Sequence, residues 1–195
     1  MLNQKISQEI LNYCKLHDYP IDWFNIVYIE GMDVNGKMNV DAPNQFNDIR
    51  CIFNKEKCLD LWTATCEPGA YYTDNPMNPN GAFRIAHGFH EKAWEIGLHG
   101  YTNPHEALVQ IREIEGYRDY NKDGYRTGDL RVCGVFGVNQ HWGYDLPVND
   151  ISTASAGCLV GRSTEGHLQF MQYCKNSGLQ EFSTIVLPAD KIFQI

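Results

Sequence analysis

Ile6, Ile10, Leu11 and Cys14 recur every three or four positions with Gln4, Gln8 and Lys15 between them, which predicts an amphipathic helix over 3–17 ending before Asp18-Tyr19-Pro20. Beyond Phe24 the period shortens. Apolar, β-branched and aromatic residues come in short or alternating runs at 24–29, 48–53, 58–65, 82–85, 93–98, 107–114 and 131–141, and these predict strands. Turn residues separate them, as in Val34-Asn35-Gly36, Glu67-Pro68-Gly69, the stretch 75–81 and Asn121-Lys122-Asp123-Gly124. After Gly161 helical spacing returns: Ser163 or Thr164 offers an N-cap, Leu168, Phe170, Met171 and Cys174 form the buried side, and Asn176-Ser177-Gly178 ends the helix. A last strand covers 183–187. No repeat, low-complexity tract or Gly/Ser linker divides the chain, so one mainly β domain with flanking helices is expected over 1–195, with 1–20 as an N-terminal helix packed on it.

The 195 residues carry a formal net charge of −8 with no Lys/Arg cluster, which argues against a nucleic-acid surface, since neutralising phosphates needs concentrated positive charge. No apolar run approaches the roughly 20 residues of a membrane span. Met1 to Ile10 has no cationic region followed by an apolar stretch, so no secretory signal is read there and synthesis in a cytoplasm is expected. The seven cysteines are scattered without a CxxC pair, a pattern of reduced thiols. Cys51 and Cys58 flank the turn Asn54-Lys55-Glu56-Lys57 and would face each other across a hairpin.

Candidate chemistry concentrates in Phe136-Gly-Val-Asn-Gln-His141-Trp142-Gly143 and in the turn Ser155-Ala156-Gly157-Cys158, whose cysteine lies seventeen positions after the histidine. A thiol becomes a strong nucleophile as thiolate, which needs an imidazole or a field of backbone N–H groups nearby. Ser155-Ala156-Gly157 permits the tight curvature that would aim such N–H groups at an oxyanion. The competing reading is a structural cysteine beside a surface histidine. His87, His90, His105 and His167 lack the converging short spacings of a zinc site, so no resident metal is expected. Asp119, Asn121 and Asp123 followed by Gly124 match the first half of a calcium loop. Position 12 would be Leu130 in place of the bidentate Glu, leaving a looser calcium loop or a self-capping turn. Tyr71, Tyr72, Trp94, Trp142 and Tyr144 are either core or groove, with Trp142 the best groove candidate.

His141-x-Gly143 followed after a loop by Ser155-x-Gly157-Cys158 resembles the catalytic signature of the L,D-transpeptidase (YkuD-like) family. The upstream blocks Leu61 to Gly69 and Pro79-Asn-Gly81-Ala-Phe-Arg-Ile85 are similar to that family's earlier strands and come in its order. The resemblance covers about residues 48–175 and implies a β-sandwich-like fold. It implies Cys158 as nucleophile towards a carbonyl of a peptidoglycan stem peptide and His141 as base, with Ser155 and Gly157 shaping the turn. His99, in Leu98-His99-Gly100, is the competing base or a substrate contact; Trp142 and Gly143 are further substrate contacts. The chain departs from the pattern at Ala156, and at Val160, where the family places Arg or Asn; Arg162 is the nearest substitute for binding a substrate carboxylate. The stretches 75–80 and 147–151 are expected to reshape the cleft.

The expected function is therefore cysteine-dependent acyl transfer on cell-wall peptides, with hydrolysis favoured over cross-linking, in a phage-type lysis or virion-associated enzyme that reaches the wall after release. Two alternatives stand beside it. One is a binding or structural virion component that keeps the fold without the chemistry, favoured by Ala156 and Val160. The other is a papain-like peptidase, in which the cysteine precedes the histidine and Cys66 would act with His99 or His141.

Overall fold

The computed structural model describes residues 2–193. Helix α1 (Leu2–Leu16) leads into strands β1 (Asn25–Glu30), β2 (Asp48–Phe53) and β3 (Cys58–Thr65), then a short helix α2 (Ala70–Asp74). Strands β4 (Ala82–Ile85), β5 (Gly88–His99), β6 (His105–Gln110), β7 (Ile114–Asp119), β8 (Leu130–Gly134), β9 (Gln140–Trp142) and β10 (Leu159–Gly161) follow. Helix α3 (Thr164–Ser177), strand β11 (Glu181–Pro188) and helix α4 (Ala189–Ile192) complete the chain.

The strands make two sheets in one mainly β domain. The larger closes on itself in the order β1-β11-β5-β6-β9-β10-β3-β2, and β4-β7-β8 form a second, three-stranded sheet. Where a sandwich-like arrangement was expected from the resemblance, the principal sheet is thus a ring. Most of its neighbours are antiparallel; β1 with β11 and β9 with β10 are parallel. Parallel neighbours cannot be joined by a tight hairpin, so β9 and β10 are linked by the long connection 143–158, and that connection carries the cysteine turn.

Strand β1 is buried along its whole length because both of its faces are covered. Ile26 and Tyr28 join Trp62, Trp94, Leu108 and Phe170 in one cluster, while Val27 and Ile29 pack with Ile6, Ile10 and Cys14 of α1 and Ile192 of α4. The period-2 alternation of a strand sends successive side chains to these two clusters, and the helical repeat of α1 supplies the second one.

Several sequence expectations are corrected. The run 107–114 is two strands, broken at 111–113, and β7 continues to Asp119. The run 131–141 is also two, because the side chain of Gln110 takes over the backbone bonding. Its Oε1 accepts the N–H groups of Phe136 and Val138, each at 2.9 Å, and its Nε2 donates to the carbonyls of Arg112 and Gly134. In α3 the Ser163 cap accepts the Gly166 N–H and Gly178 ends the helix in a left-handed conformation, but Leu168 is exposed and His167 takes its place on the buried side. Cys51 and Cys58 sit side by side as free thiols. Among the described residues no helix is long and apolar enough to cross a membrane.

Candidate active site

The parallel pairing of β9 with β10 sets His141 opposite Val160 and Gln140 opposite Leu159. Continuing the register places Cys158 beside Asn139, two residues along on the same face as His141. Both side chains line a cavity of about 460 Å³, together with His99 from the end of β5 and Phe83 and Arg118 from the small sheet. Met77 and Asn78 of the stretch 75–80 also reach it, as do Thr153 and Ala154 just after 147–151.

The turn before the cysteine is held by Ser155, whose hydroxyl donates to the Cys158 carbonyl at 2.9 Å and accepts the Gly157 N–H at 3.1 Å. Gly157 has φ +121°, and a Cβ there would lie 2.4 Å from the Phe83 carbonyl oxygen. Gly157→Ala is expected to lower stability by about 1–3 kcal/mol through backbone strain alone. The check is the urea midpoint; an unchanged midpoint would show that the turn accepts a side chain.

The Cys158 thiol is partly buried, and its sulfur lies 3.7 Å from the Gly137 carbonyl, to which it donates. Burial pushes the thiol up to about 11, opposed by the Asn139 N–H, so at neutral pH it is protonated. The Cys158 N–H has no acceptor among the described residues. Tyr144 is close enough that a thiolate here would hold its hydroxyl up, after the larger effect of burial.

His141 is 1% exposed. Its Nδ1 lies 2.8 Å from the Trp142 carbonyl, an acceptor only, so Nδ1 carries the proton and donates. Nε2 is then a bare lone pair, buried and without a partner. Burial first, then the neighbouring His99, hold the His141 imidazole well below the usual histidine range, against the opposing bond to Trp142. His99 stacks on His141 with ring centroids 3.8 Å apart and planes 8° from parallel. Its Nδ1 accepts from Asn139 Nδ2 at 3.0 Å, and burial with the nearby His105 pushes it down to about 4. Behind them His105 stacks on Trp142 at 3.8 Å. His167 accepts from Arg50 through Nδ1 and donates through Nε2 to the Glu106 carbonyl; burial and Arg50 push it down to about 3. A neutral thiol and a stack of neutral imidazoles therefore share one cavity, with no resting ion pair between them.

The structure thus brings together Cys158, His141, Ser155, Gly157 and His99. It does not bring Trp142, Gly143 or Arg162 to the cavity lining. Trp142 is occupied by His105; Gly143 lies where a Cβ would meet the Phe46 ring at 2.9 Å; and Arg162 Nη1 donates to the Leu146 carbonyl at 2.8 Å. These three support the connection 143–158. Among the other aromatics, Tyr72 lines the cavity, while Trp94 is core and donates through Nε1 to the Val138 carbonyl. Cys66 is fully buried, and its charged neighbours among the described residues are Asp48, Glu30, Arg126 and Glu67, in place of the histidine that a Cys66-first arrangement needs.

The zinc candidates separate. His87 contacts Glu30 and His90 meets the Ala86 carbonyl, while His105 and His167 lie behind the cavity. Asp119, Asn121 and Asp123 use their oxygens on the N–H groups of Asp123, Gly124 and Tyr125. The carboxylates that do approach within 4.8 Å of one another, Glu30, Asp41 and Glu67, surround the guanidinium of Arg84, which pairs with all three and also meets the Gly124 carbonyl. Arg126 adds a two-pronged pair to Glu30 at 2.7 and 2.9 Å. The positive charge of this cluster comes from the chain's own arginines.

Sequence reasoning missed Arg118, Asn139 and the charge cluster. Comparison with protein-family models, with curated proteins and with solved structures returns no match.

Proposed function

We propose that the protein is a cysteine-dependent acyl-transfer enzyme of the L,D-transpeptidase type, acting on peptidoglycan stem peptides. The observation that carries this reading is the buried, unpartnered Nε2 of His141, fixed by the bond from Nδ1 to the Trp142 carbonyl, on the same cavity as a cysteine set in a glycine-dependent turn. Sγ of Cys158 attacks an amide carbonyl as its proton passes to Nε2, and the Cys158 N–H meets the oxyanion. The tetrahedral intermediate then expels the amine, which takes the proton from Nε2, leaving a thioester. Water as acceptor returns free thiol and a carboxylic acid, as in a lysis-type peptidase; an amine acceptor gives a cross-link.

Mass spectrometry of peptidoglycan fragments incubated with wild type and with Cys158→Ala tests this. New masses from wild type alone identify the bond and the acceptor, and identical spectra from both proteins would remove the reading. A binding component without chemistry is the second reading, favoured by the fully buried Val160 in the place where the family puts Arg or Asn.

A further inference from the structure

We infer that Arg118 is the anion receptor of the Cys158 cavity, reading a carboxylate carried by the acyl donor. This rests on the acyl-transfer reading for its substrate but on separate observations for its site.

Arg118 stands on β7 opposite Phe83 of β4. Its guanidinium carbon lies 5.4 Å from the Phe83 ring and 4.9 Å from the Phe136 ring, and those rings are 4.8 Å apart. Two aromatic faces therefore hold the planar group in place. Of its five N–H donors, one makes a long 3.4 Å bond to the Gly81 carbonyl. No carboxylate pairs with it among the described residues; Arg50 and Arg162 also lack one, but they meet His167 and the Leu146 carbonyl and lie outside this lining. Among the described residues that line the Cys158 cavity, Arg118 is the one formally charged side chain, in a chain of net charge −8. Acidic residues, abundant elsewhere, are absent from this lining. Partial burial also pulls the Arg118 pKa down, as expected of a cation without a counter-ion. A planar, preorganised, unpaired guanidinium matches a carboxylate bidentately. It supplies here what Arg162, tied to the Leu146 carbonyl, does not.

The test uses Cys158 as its own reporter. Cys133 is the other accessible thiol, so the background is Cys133→Ser. Rates are measured for 5,5′-dithiobis(2-nitrobenzoate), which carries carboxylates, and for neutral 4,4′-dithiodipyridine, with labelling at Cys158 confirmed by peptide mapping. Arg118→Gln is expected to slow the anionic reagent about tenfold while changing the neutral one less than about twofold, and Arg118→Lys is expected to recover part of the loss. An unchanged ratio of the two rates overturns the proposal. As an independent readout, glutarate is expected to shift the Arg118 Nε–H resonance while glutaramide leaves it in place; no shift with glutarate also overturns it. Neither measurement requires turnover of peptidoglycan. A charge-dependent ratio with unprocessed fragments would bring down the acyl-transfer reading alone, and processed fragments with an unchanged ratio would bring down Arg118 alone.

Discussion

Arg84→Met is expected to destabilise the protein by about 3–5 kcal/mol, because removing one partner of a buried ionic cluster leaves uncompensated charge in a dry site. Arg84 is 2% exposed and pairs with Glu30, Asp41 and Glu67, and its Nη1 also meets the Gly124 carbonyl, so one side chain ties β4 to β1, to the segment after β3 and to the loop after β7. Arg126 continues to neutralise Glu30 in the variant. Glu67 does not have that protection and Asp41 has it only in part, since Arg126 also acts on Asp41, and burial already pushes both carboxyls up. A carboxyl raised in the folded state binds more protons folded than unfolded, so its contribution to stability rises as pH falls. The deficit of Arg84→Met is therefore expected to shrink between pH 7 and pH 5. Urea denaturation at the two pH values checks this; a deficit of equal size at both would show that Glu67 and Asp41 do not take up protons in place of the guanidinium.

His141→Asn is expected to lower the rate of fragment processing by a factor of about 10²–10⁴, the range that a positioned acid–base group contributes. Asparagine keeps an N–H near the Trp142 carbonyl and removes the lone pair of Nε2, so the fold is expected to persist while proton transfer fails. Burial and the stacked His99 hold the wild-type imidazole well below the ordinary histidine value. The base therefore stays neutral at pH 6, and the acidic limb of the rate profile is expected below the usual histidine range. His99→Gln removes an imidazole whose own protonation opposes that of His141, which moves that limb upward. The thiol at about 11 keeps the rate climbing on the alkaline side. Product formation followed across pH reads all three effects, and an acidic limb at the ordinary histidine value in wild type would contradict the neutral stack.

The strands at 48–53, 58–65 and 82–85 were legible residue for residue, since each is a short apolar or alternating run closed by turn residues. The helix from Ser163 to Gly178 was legible through its caps. Strand β7 was not: Ile114-Glu-Gly-Tyr-Arg-Asp belongs to the small, partly solvated sheet and reads as polar. That is why Arg118 escaped notice, because an arginine in such a run looks like any solvated one. Cys158, His141 and His99 could be picked out because the pieces Ser155-x-Gly157-Cys158, His141-x-Gly143 and His99-Gly100 resemble a family signature. The cluster around Arg84 had no local signal, since its pairs join residues 17 to 96 positions apart and no periodicity spans such distances.

The closed order of the eight-stranded sheet leaves the three-stranded sheet as the one with end strands among the described residues. On one side of that sheet, β4 is met by the cysteine turn, where Gly157 approaches the Phe83 carbonyl. On the other, β8 leaves its outer row of backbone donors and acceptors without a strand partner, with Leu130 61% exposed. Strand β8 is thus an exposed edge, and the exposed Arg131 on it, paired to Glu115, places charge where a second copy would have to add.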